Sequence, residues 1–508
     1  MLNNFDSEFC GSVPMYHTNL VQDYGYLLVL DKKTLRILQF SENITSLLQY
    51  GKEELSRLDL TYFISQDQLN HINSLAATGQ NTAYPLKLVF YTRQGLLTLR
   101  GILRAQDDLW LLEMDVWSDS NQHPFEDLYM KMKHCMIRLE TAQTLEQLAK
   151  GVAIELKKLS GFDKVMVYRF DEQWNGTVIA EEKEEDMQAY LGLTFPASDI
   201  PKQARELYLI NPYRYIPDVN YQPVPVYPRL NPKTGESLNM SLLNIRSVPA
   251  VHIEYLKNME VGASMSVRII KDDALWGLIS LHSKRARRID YSLCAQLELL
   301  SGFISSRLTS ILQKESFSVL ERLLNTKQQL VDSLYHTNSI EQSLTSGKPS
   351  LLDLLQVTGL YVNINENTFT VGQTPVPAEI VELVNWLKKL NLYRTFTDNN
   401  LAASLPSASA YVGTGSGVIV LPLQAGNEEV FIIGFRPEQV QLINWGGNPN
   451  EAISFEADNK TYHPRNSFRI WQQEVKHTSR PWTEQEQQVA ESFRIALNEY
   501  LIRQSRAN

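Results

Sequence analysis

The stretch 195–208 places a carboxylate at a stiff point of the backbone. Asp199 follows a turn of small residues and comes two positions before Pro201. Proline fixes its own φ angle and favours an extended Ile200, so Asp199 is presented in one direction. Gln203 and the residues after it favour a helix. By these local rules Asp199 is either an ordinary helix-start residue or a directed polar group of a binding site.

The three cysteines differ in their surroundings. Cys135 and Cys294 lie within helical patterns and are predicted to be small, packed side chains. Cys10 lies in a polar N-terminal segment, where a thiol stays accessible for covalent chemistry. Their spacing matches no metal motif, so we expect no metal site.

Composition and charge exclude several functions. The 508 residues are 43% hydrophobic and 21% charged, which is ordinary for about three globular domains. The net charge of −9, without a long basic face, argues against nucleic-acid binding. No run approaches the roughly 18 apolar residues of a membrane span, and residues 1–9 lack an apolar signal core, so we expect a soluble, cytoplasmic protein. No Walker loop, nucleophile elbow or kinase motif is present, so we expect no enzymatic activity.

Residues 25–118 are predicted to form the first domain, after an N-terminal segment, 1–24. We expect Ser41 to cap a short helix, Glu42–Leu48. Runs of apolar and β-branched residues predict five antiparallel strands. These strands are Gly25–Leu30, Leu35–Phe40, Leu86–Thr92, Leu96–Arg104 and Trp110–Val116.

Residues 126–312 are predicted to form the second domain. Its middle, 184–246, is irregular and rich in Pro, Tyr and Asn, and a long ordered loop of this kind is usually functional. The predicted helices and strands are Phe125–Leu139, Leu145–Leu159, Lys164–Phe170, Gly176–Glu181, Ser264–Ile270 and Leu275–Ser280.

One helical pattern runs from Tyr291 to about Leu334. A helix of that length either spans two domains or packs against a copy of itself in a dimer. The third predicted domain, 315–508, has strands Val418–Leu423 and Val430–Phe435 and a final helix, Thr483–Gln504. It also contains an unusual segment at about 440–475.

These motifs together resemble the phytochrome family over essentially the whole chain. The sequence PASDIP at 196–201 is a signature of that family, and VYRF at 167–170 is similar to its pocket strand. RSVPAVHIEYL at 246–256 resembles the segment that bears the pocket histidine, and PRNSF at 464–468 looks like the PRxSF motif of the family's tongue. The resemblance implies an α+β fold of three domains, PAS, GAF and PHY. Each is an antiparallel sheet with flanking helices, joined by a long helical spine, and the tongue extends from the third domain.

The residue before the pocket histidine indicates the kind of phytochrome. Plant and cyanobacterial forms attach a bilin through a cysteine there, whereas this chain has Val251. Bacteriophytochromes use an N-terminal cysteine and biliverdin, and Cys10 lies 12 residues before Gln22, as in the bacterial pattern. The resemblance therefore implies a bacteriophytochrome that binds the linear tetrapyrrole biliverdin covalently.

The resemblance also implies a role for each matching residue. Cys10 forms the thioether, and Arg214 and Arg246 bind the two propionates. His252 holds a water at the pyrrole rings, and His282 bonds the ring-D carbonyl. The backbone carbonyl of Asp199 faces the pyrrole nitrogens. The other residues expected at the site are Tyr168, Phe195, Ile200, Pro201, Tyr208, Tyr255, Ser264 and Ser266, with Met166 and Met259 as further walls.

Light is expected to isomerise the C15=C16 bond of the bilin and to refold the tongue. Asp199 is expected to pair with Arg465 in one state and to meet Ser467 in the other, while Trp471 repacks. Gly446, Gly447 and the residues near them suit hairpin turns, whereas 467–475 is also compatible with a helix. The implied partners are the bilin, a second copy through the long helices, and a downstream output domain or response regulator that this chain lacks.

Several positions depart from the family's pattern, among them Pro249, Ala250, Glu260, Leu281 and Ser283. They bear on propionate binding and on spectral position. The alternative interpretation is a light-independent PAS–GAF module that senses a small ligand, and adding biliverdin and looking for red absorbance distinguishes the two.

Overall fold

The computed structural model describes residues 15–76, 83–116, 125–337, 339–364, 367–425, 428–451, 453–455 and 462–507. The chain divides into two compact units. The first consists of Met1–Thr309 with Asn444–Trp471, and the second of Ser310–Ile443 with Gln472–Asn508. Part of the predicted tongue therefore belongs to the same unit as the first two domains.

All five strands predicted for the first domain are present, with bounds that differ by a few residues. The elements are β1 (Leu20–Val21), β2 (Tyr26–Asp31), β3 (Ile37–Ser41), α1 (Ile44–Leu48), α2 (Lys52–Leu55), α3 (Gln66–Ala76), β4 (Ala83–Thr92), β5 (Gly95–Gln106) and β6 (Leu109–Val116).

The prediction that Ser41 caps the following helix is wrong. Ser41 is buried in β3, and its Oγ accepts a hydrogen bond from the backbone N–H of Leu27, at 2.9 Å, in neighbouring β2. Asn43 is the N-terminal cap residue of α1, without a side-chain capping bond. β3 continues one residue beyond its predicted end at Phe40. The Ser41 hydroxyl therefore lies within the sheet and bonds the Leu27 amide instead of capping the helix.

The second domain follows the predicted order of helices and strands. Its elements are α4 (Phe125–Glu140), α5 (Leu145–Ser160), β7 (Lys164–Phe170), β8 (Gly176–Lys183), β9 (Thr194–Phe195), α6 (Lys202–Ile210), β10 (Tyr213–Ile216), β11 (Val224–Tyr227), α7 (Ala250–Asn258), β12 (Ala263–Lys271), β13 (Ala274–Ser283) and α8 (Tyr291–His336). The region read as irregular contains one helix and three strands of two to four residues, which are too short to leave a periodic pattern.

Two sheets organise this first unit. The first has the order β1-β11-β3-β2-β6-β5-β4, so a strand of the second domain completes the sheet of the first. The second begins β10-β12-β13-β7-β8-β9. Trp445, from the tongue, extends it by pairing in parallel with Thr194 of β9. Buried Phe40, Phe63 and Trp110 belong to the core of the first domain.

The second unit is built around a five-stranded antiparallel sheet with the order β15 (Asn367–Gly372), β14 (Gly359–Ile364), β18 (Glu428–Arg436), β17 (Gly417–Ala425) and β16 (Phe396–Asp398). Leu323, Leu330 and Leu334, from the end of α8, are part of its buried core.

The elements of the third domain are α9 (Ile340–Thr345), α10 (Leu351–Leu355), β14 (Gly359–Ile364), β15 (Asn367–Gly372), α11 (Pro377–Lys389), β16 (Phe396–Asp398), α12 (Leu401–Ser404), α13 (Val412–Gly415), β17 (Gly417–Ala425), β18 (Glu428–Arg436), β19 (Gln441–Gly446), β20 (Ile453–Phe455), β21 (Tyr462–Pro464), β22 (Ile470–Val475) and α14 (Glu484–Ala507).

The described helices are each too short or too polar to span a membrane. Among them, none combines the length and the apolar character that crossing a bilayer needs.

Cys135 and Cys294 are buried, as predicted, and burial raises the pKa of both thiols, that of Cys135 to about 11.

Candidate ligand pocket and tongue contact

A cavity of about 220 Å³ is lined mainly by the second domain, with Met15 from the N-terminal segment and Pro464 from the tongue at its border. This volume is far above the roughly 10–15 Å³ that one water needs. Cys10 lies outside the described residues. The other residues assigned from sequence to the ligand all line the cavity, and they are Tyr168, Phe195, Asp199, Ile200, Pro201, Tyr208, Arg214, Arg246, His252, Tyr255, Ser264, Ser266 and His282. Met166 and Met259 line it as well.

Strand periodicity explains why distant residues reach one cavity. Ser264 and Ser266 are two positions apart on β12, so their side chains leave the same face of the sheet. Arg214 on β10 is the cross-strand partner of Ser266, and His282 on β13 is the partner of Ser264. Three neighbouring strands therefore present cationic, hydroxyl and imidazole groups to the same space.

The Asp199 turn has the backbone that the sequence predicts. Ala197–Asp199 forms a short 3₁₀ turn, Ile200 has φ −129° and ψ 81°, at the border of the extended region, and α6 begins directly after Pro201. An Nη1 of Arg205 donates to the backbone oxygen of Ile200 at 2.7 Å. The turn is thus fixed both by proline and by a guanidinium from the following helix.

The carboxylate of Asp199 is bonded to two side chains. Oδ1 accepts a hydrogen bond from Nη2 of Arg465, and Oδ2 accepts one from the Tyr255 hydroxyl at 2.9 Å. The Asp199 and Arg465 side chains are 6% and 3% exposed. Burial raises the pKa of the carboxyl, against the opposing effect of the guanidinium. A buried ion pair therefore joins the PASDIP turn to the PRxSF motif, and both belong to the first unit.

Two tongue positions that contact Arg465, Gly446 and Gly447, have no room for a side chain. Nη1 of Arg465 donates to the Gly446 backbone oxygen at 2.8 Å. A Cβ on Gly446 would lie 2.5 Å from the Phe195 ring, and Gly447 has a φ of +100° with the Ser467 oxygen 2.4 Å from its Cβ position. Any side chain at these positions would push the tongue away from the pocket.

Two guanidinium groups at the cavity form no ion pair with any carboxylate that the structure describes. Arg246 donates to the backbone oxygen of Met15, and its Nε is buried without a hydrogen-bond partner. Arg214 donates to the backbone oxygen of Arg246. Among the described residues, no carboxylate forms an ion pair with either arginine. Burial lowers both pKa values, and the neighbouring Arg214 contributes to lowering that of Arg246 to about 8.

The two cavity histidines are held in the neutral form. Burial, and then the Arg214 cation, lowers the pKa of His252 to about 4. Burial, and then the Lys164 cation, lowers the pKa of His282 to about 3. His282 Nε2 lies 3.1 Å from the Ser280 hydroxyl, and its Nδ1 is buried without a partner. Neutral imidazole at each position can donate one hydrogen bond and accept one.

The remaining predicted tongue residues lie outside the cavity. Ser467 is exposed, and its Oγ accepts from the Arg469 N–H at 3.4 Å, while Trp471 is half-buried in β22. Residues 470–475 form a strand rather than the helix with which their sequence is also compatible. Asp199 thus contacts Arg465 rather than Ser467 in this structure.

Sequence reasoning missed four groups of this site. Ser280 lines the cavity two positions before His282 on one strand, and the two-residue period could have revealed it. Asn258 follows Tyr255 by three positions on α7, and its Nδ2 donates to the Arg465 backbone oxygen at 3.1 Å. Phe468 packs edge-on to Tyr255, with ring centroids 5.2 Å apart. Tyr190 lies between two predicted elements, and no sequence pattern indicated that it belongs to the site.

Comparison with known families covers nearly the whole chain. The models described as PAS fold, GAF domain and Phytochrome region match residues 10–138, 144–308 and 323–506. The crystal structure of bacteriophytochrome RpBphP3 from R. palustris is similar with a TM-score of 0.86 and 30% identity, covering 97% of this chain and 99% of that one. The chain is a PAS–GAF–PHY photosensory module of the phytochrome family.

Other relatives of this phytochrome module include both bacterial and cyanobacterial proteins. The Stigmatella aurantiaca phytochrome photosensory core module has a TM-score of 0.83 and 32% identity, with 98% of this chain and 99% of that chain covered. Cyanobacterial phytochrome B of Nostoc sp. is 35% identical over 494 residues, 97% of this chain and 66% of the relative. A bacteriophytochrome of Xanthomonas campestris is 29% identical over 513 residues. The module spans about two thirds of the length of the cyanobacterial relatives.

The cavity suits a linear tetrapyrrole with two propionates. The two arginines without carboxylate partners match the two acidic groups, and the unpartnered Nε of Arg246 is a buried donor that such a ligand would satisfy. Aromatic and methionine side chains supply flat apolar walls, from Tyr168, Phe195 and Met259.

Proposed function

We propose that this module is the light-sensing part of a red/far-red photoreceptor, that Cys10 attaches biliverdin, and that the tongue changes its fold on illumination. Membership of the phytochrome family supports the photoreceptor role. The attachment site follows from the resemblance, with Val251 at the alternative cysteine position and Cys10 at the bacterial one.

One observation carries the assignment: the guanidinium groups of buried Arg246 and half-buried Arg214 line a cavity, and no carboxylate of the described chain forms an ion pair with either. Burying unpaired cations is unfavourable, so a sequence that retains two of them has a use for an anion there. Guanidinium binds carboxylate through paired N–H donors. Arg214 and Arg246 would hold the propionates, with hydroxyl donors from Tyr208, Ser264 and Ser266.

The pyrrole end of the ligand needs acceptors and neutral donors. When bound, biliverdin absorbs red light and isomerises at C15=C16. His252 and the Asp199 carbonyl supply acceptors beside the cavity, and neutral His282 supplies a hydrogen-bonding group for a ring carbonyl. Because both imidazoles are kept uncharged by burial, neither adds to the positive charge of the pocket.

The Asp199–Arg465 pair is the proposed switch contact. Asp199 lines the cavity and its partner lies on the tongue, so a rearrangement of the pocket acts directly on the tongue. In the second state Asp199 would meet Ser467 instead. Moving such an equilibrium from mostly one state to mostly the other needs about 5.5 kcal/mol, which exchange of a buried ion pair and repacking of Trp471 can provide. The proposed partners are a second copy, packed through the long helices, and a downstream output domain or response regulator in the cytoplasm.

Coexpression with a haem oxygenase tests this proposal. We expect a red-absorbing holoprotein whose spectrum changes reversibly under alternating red and far-red light. Cys10→Ser should abolish zinc-induced fluorescence on a denaturing gel while pigment still binds reversibly. A colourless protein, or one with a spectrum unchanged by light, would refute the photoreceptor proposal, and persistent gel fluorescence would move the attachment site elsewhere.

A further inference from the structure

Lys164, at the start of β7, is a buried lysine held by three groups of the second domain. Its side chain is 2% exposed, and Nζ donates to the backbone oxygen of Gln188. Nζ also lies 3.4 Å from Oε1 of Glu181 and 3.8 Å from the centroid of the Tyr190 ring. Because a buried ammonium is costly without partners, these contacts define one arrangement of the loop at 188–191.

The partner carboxylate fixes the same loop from the other side. Glu181 lies on β8, and its side chain is 4% exposed. Its Oε1 accepts from the Tyr190 N–H at 3.0 Å, and its Oε2 accepts from the Leu191 N–H at 3.3 Å. One ion pair thus satisfies a carbonyl and two amides of a loop that has no regular secondary structure of its own.

The loop at 188–191 contacts both the cavity and the tongue. Tyr190 lines the cavity, with its ring centroid 5.8 Å from that of Phe195. Nε2 of Gln188 donates to the backbone oxygen of Phe468 at 3.3 Å, and the Tyr190 and Phe468 rings are 6.4 Å apart. A displacement of this loop would therefore reach the tongue three residues beyond Arg465.

We propose that the Lys164–Glu181 ion pair is a positioning device that couples the cavity to the tongue through Gln188 and Tyr190, separately from Asp199. Lys164 is also the cross-strand partner of His282. The pair acts through the loop and touches no ligand. The light-dependent part of this inference rests on the proposed function, whereas its structural part holds for the protein without pigment.

The structural part is tested by hydrogen exchange of the unpigmented full chain. Gln188→Ala removes the bond to Phe468 and the bond that Gln188 Oε1 accepts from the Tyr190 hydroxyl at 3.4 Å. Exchange in peptides covering 462–471 should rise about three- to tenfold. Lys164→Met leaves Glu181 buried without its partner, so the rise in the same peptides should be larger. Lys164→Arg retains the charge and should restore exchange to near the wild-type rate.

Lys157→Met is the matched control, because Lys157 and Glu184 form an ion pair at 2.5 Å near the surface of the same domain. It should leave tongue exchange unchanged. A merely structural ion pair predicts a different result: lower stability of the whole domain in Lys164→Met, with exchange of the tongue unchanged in Gln188→Ala. That result would overturn the proposal, as would equal effects of Lys164→Met and Lys157→Met.

The light-dependent part uses the pigmented protein. Gln188→Ala should keep the resting absorbance maximum and at least halve the amplitude of the light-minus-dark difference spectrum. If wild type and variants all lacked a photoproduct, the proposed function would fail while the exchange result stood. If wild type photoconverted and Gln188→Ala did so to the same extent, the coupling role would be refuted alone.

Discussion

Arg465 and Arg246 are equally buried, each 6% exposed, yet their surroundings are opposite. Arg465 is bonded to the carboxylate of Asp199 and to a backbone oxygen. Arg246 has one backbone oxygen, no carboxylate partner among the described residues, and a second cation, Arg214, beside it. Burial acts to lower the pKa of Arg465, but Asp199 together with Tyr255 and Tyr168 raises it on balance. At Arg246, burial and then the Arg214 cation lower the pKa to about 8.

The difference separates two uses of a buried cation. Where the chain supplies its own carboxylate, the pair joins two segments of the protein and can be exchanged for another contact. Where no carboxylate is supplied by the described chain, the cation is an incomplete site that a ligand can complete. Removing the carboxylate partner of Arg465 and removing Arg246 itself should therefore have opposite effects on the stability of the unpigmented protein.

The largest effect should come from breaking the completed pair. Asp199→Ala leaves Arg465 buried without its carboxylate, and tongue docking should weaken by about 3–5 kcal/mol. Hydrogen exchange in peptides covering 444–451 and 462–471 measures this loss. Asp186→Ala, which removes an exposed partner of Lys284, is the control and should have no effect on the tongue. Unaltered exchange in Asp199→Ala would mean that the pair does not hold the tongue.

The second prediction concerns the incomplete site. Arg246→Met should leave the unpigmented protein as stable as wild type or more stable by about 1–2 kcal/mol, because an unpaired buried cation is removed. In a Cys10→Ser background, where binding is reversible, the same change should weaken affinity for biliverdin at least about thirtyfold. Urea unfolding and titration of red absorbance measure the two quantities. Clear destabilisation without pigment would contradict the comparison.

The pH dependence of stability tests whether the unpaired Arg214 cation acts on His252. The folded pKa is about 4, below the usual 6.5, so between these values the unfolded chain binds the additional proton. Stability of the unpigmented protein should fall as pH is lowered through this window, by about 1.4 kcal/mol per unit from this residue. Arg214→Met should raise the pKa of His252, and nuclear magnetic resonance of the imidazole measures it. His252→Gln removes this contribution to the slope, and an unshifted pKa would show that Arg214 does not act on His252.

The smallest change in stability should come from Glu260, which lies outside the Asp199–Arg465 pair and the Arg214–Arg246 site. Glu260 has a φ of +57°, a left-handed conformation that is unfavourable for a residue with a Cβ. Glu260→Gly should stabilise the protein by about 0.5–1 kcal/mol, which thermal unfolding can measure. Lys257→Gly, inside α7, is the matched control and should destabilise it by about 1 kcal/mol. Destabilisation by Glu260→Gly would assign that side chain a contact which outweighs its backbone strain.

Local rules were sufficient where one residue fixes the backbone. Pro201 and the small residues before it predicted the turn at Asp199, and alternation of side chains predicted the strands that line the cavity. The same rules failed at Ser41, because the competing donor is the amide of Leu27 on another strand. They could not identify Tyr190, since its role depends on Lys164 and on a tongue residue far along the chain. Which of two partners Asp199 contacts also depends on tertiary structure, because Arg465 and Ser467 lie in one motif.

The position of Val224–Tyr227 limits how this receptor can be divided. That strand is hydrogen-bonded on one side to Leu20–Val21 and on the other to Ile37–Ser41. A fragment cut at residue 126 to make a minimal fluorescent reporter would retain the strand and lose both neighbours, which leaves an open edge prone to self-association. A smaller reporter should therefore keep the residues before 126 and be shortened elsewhere.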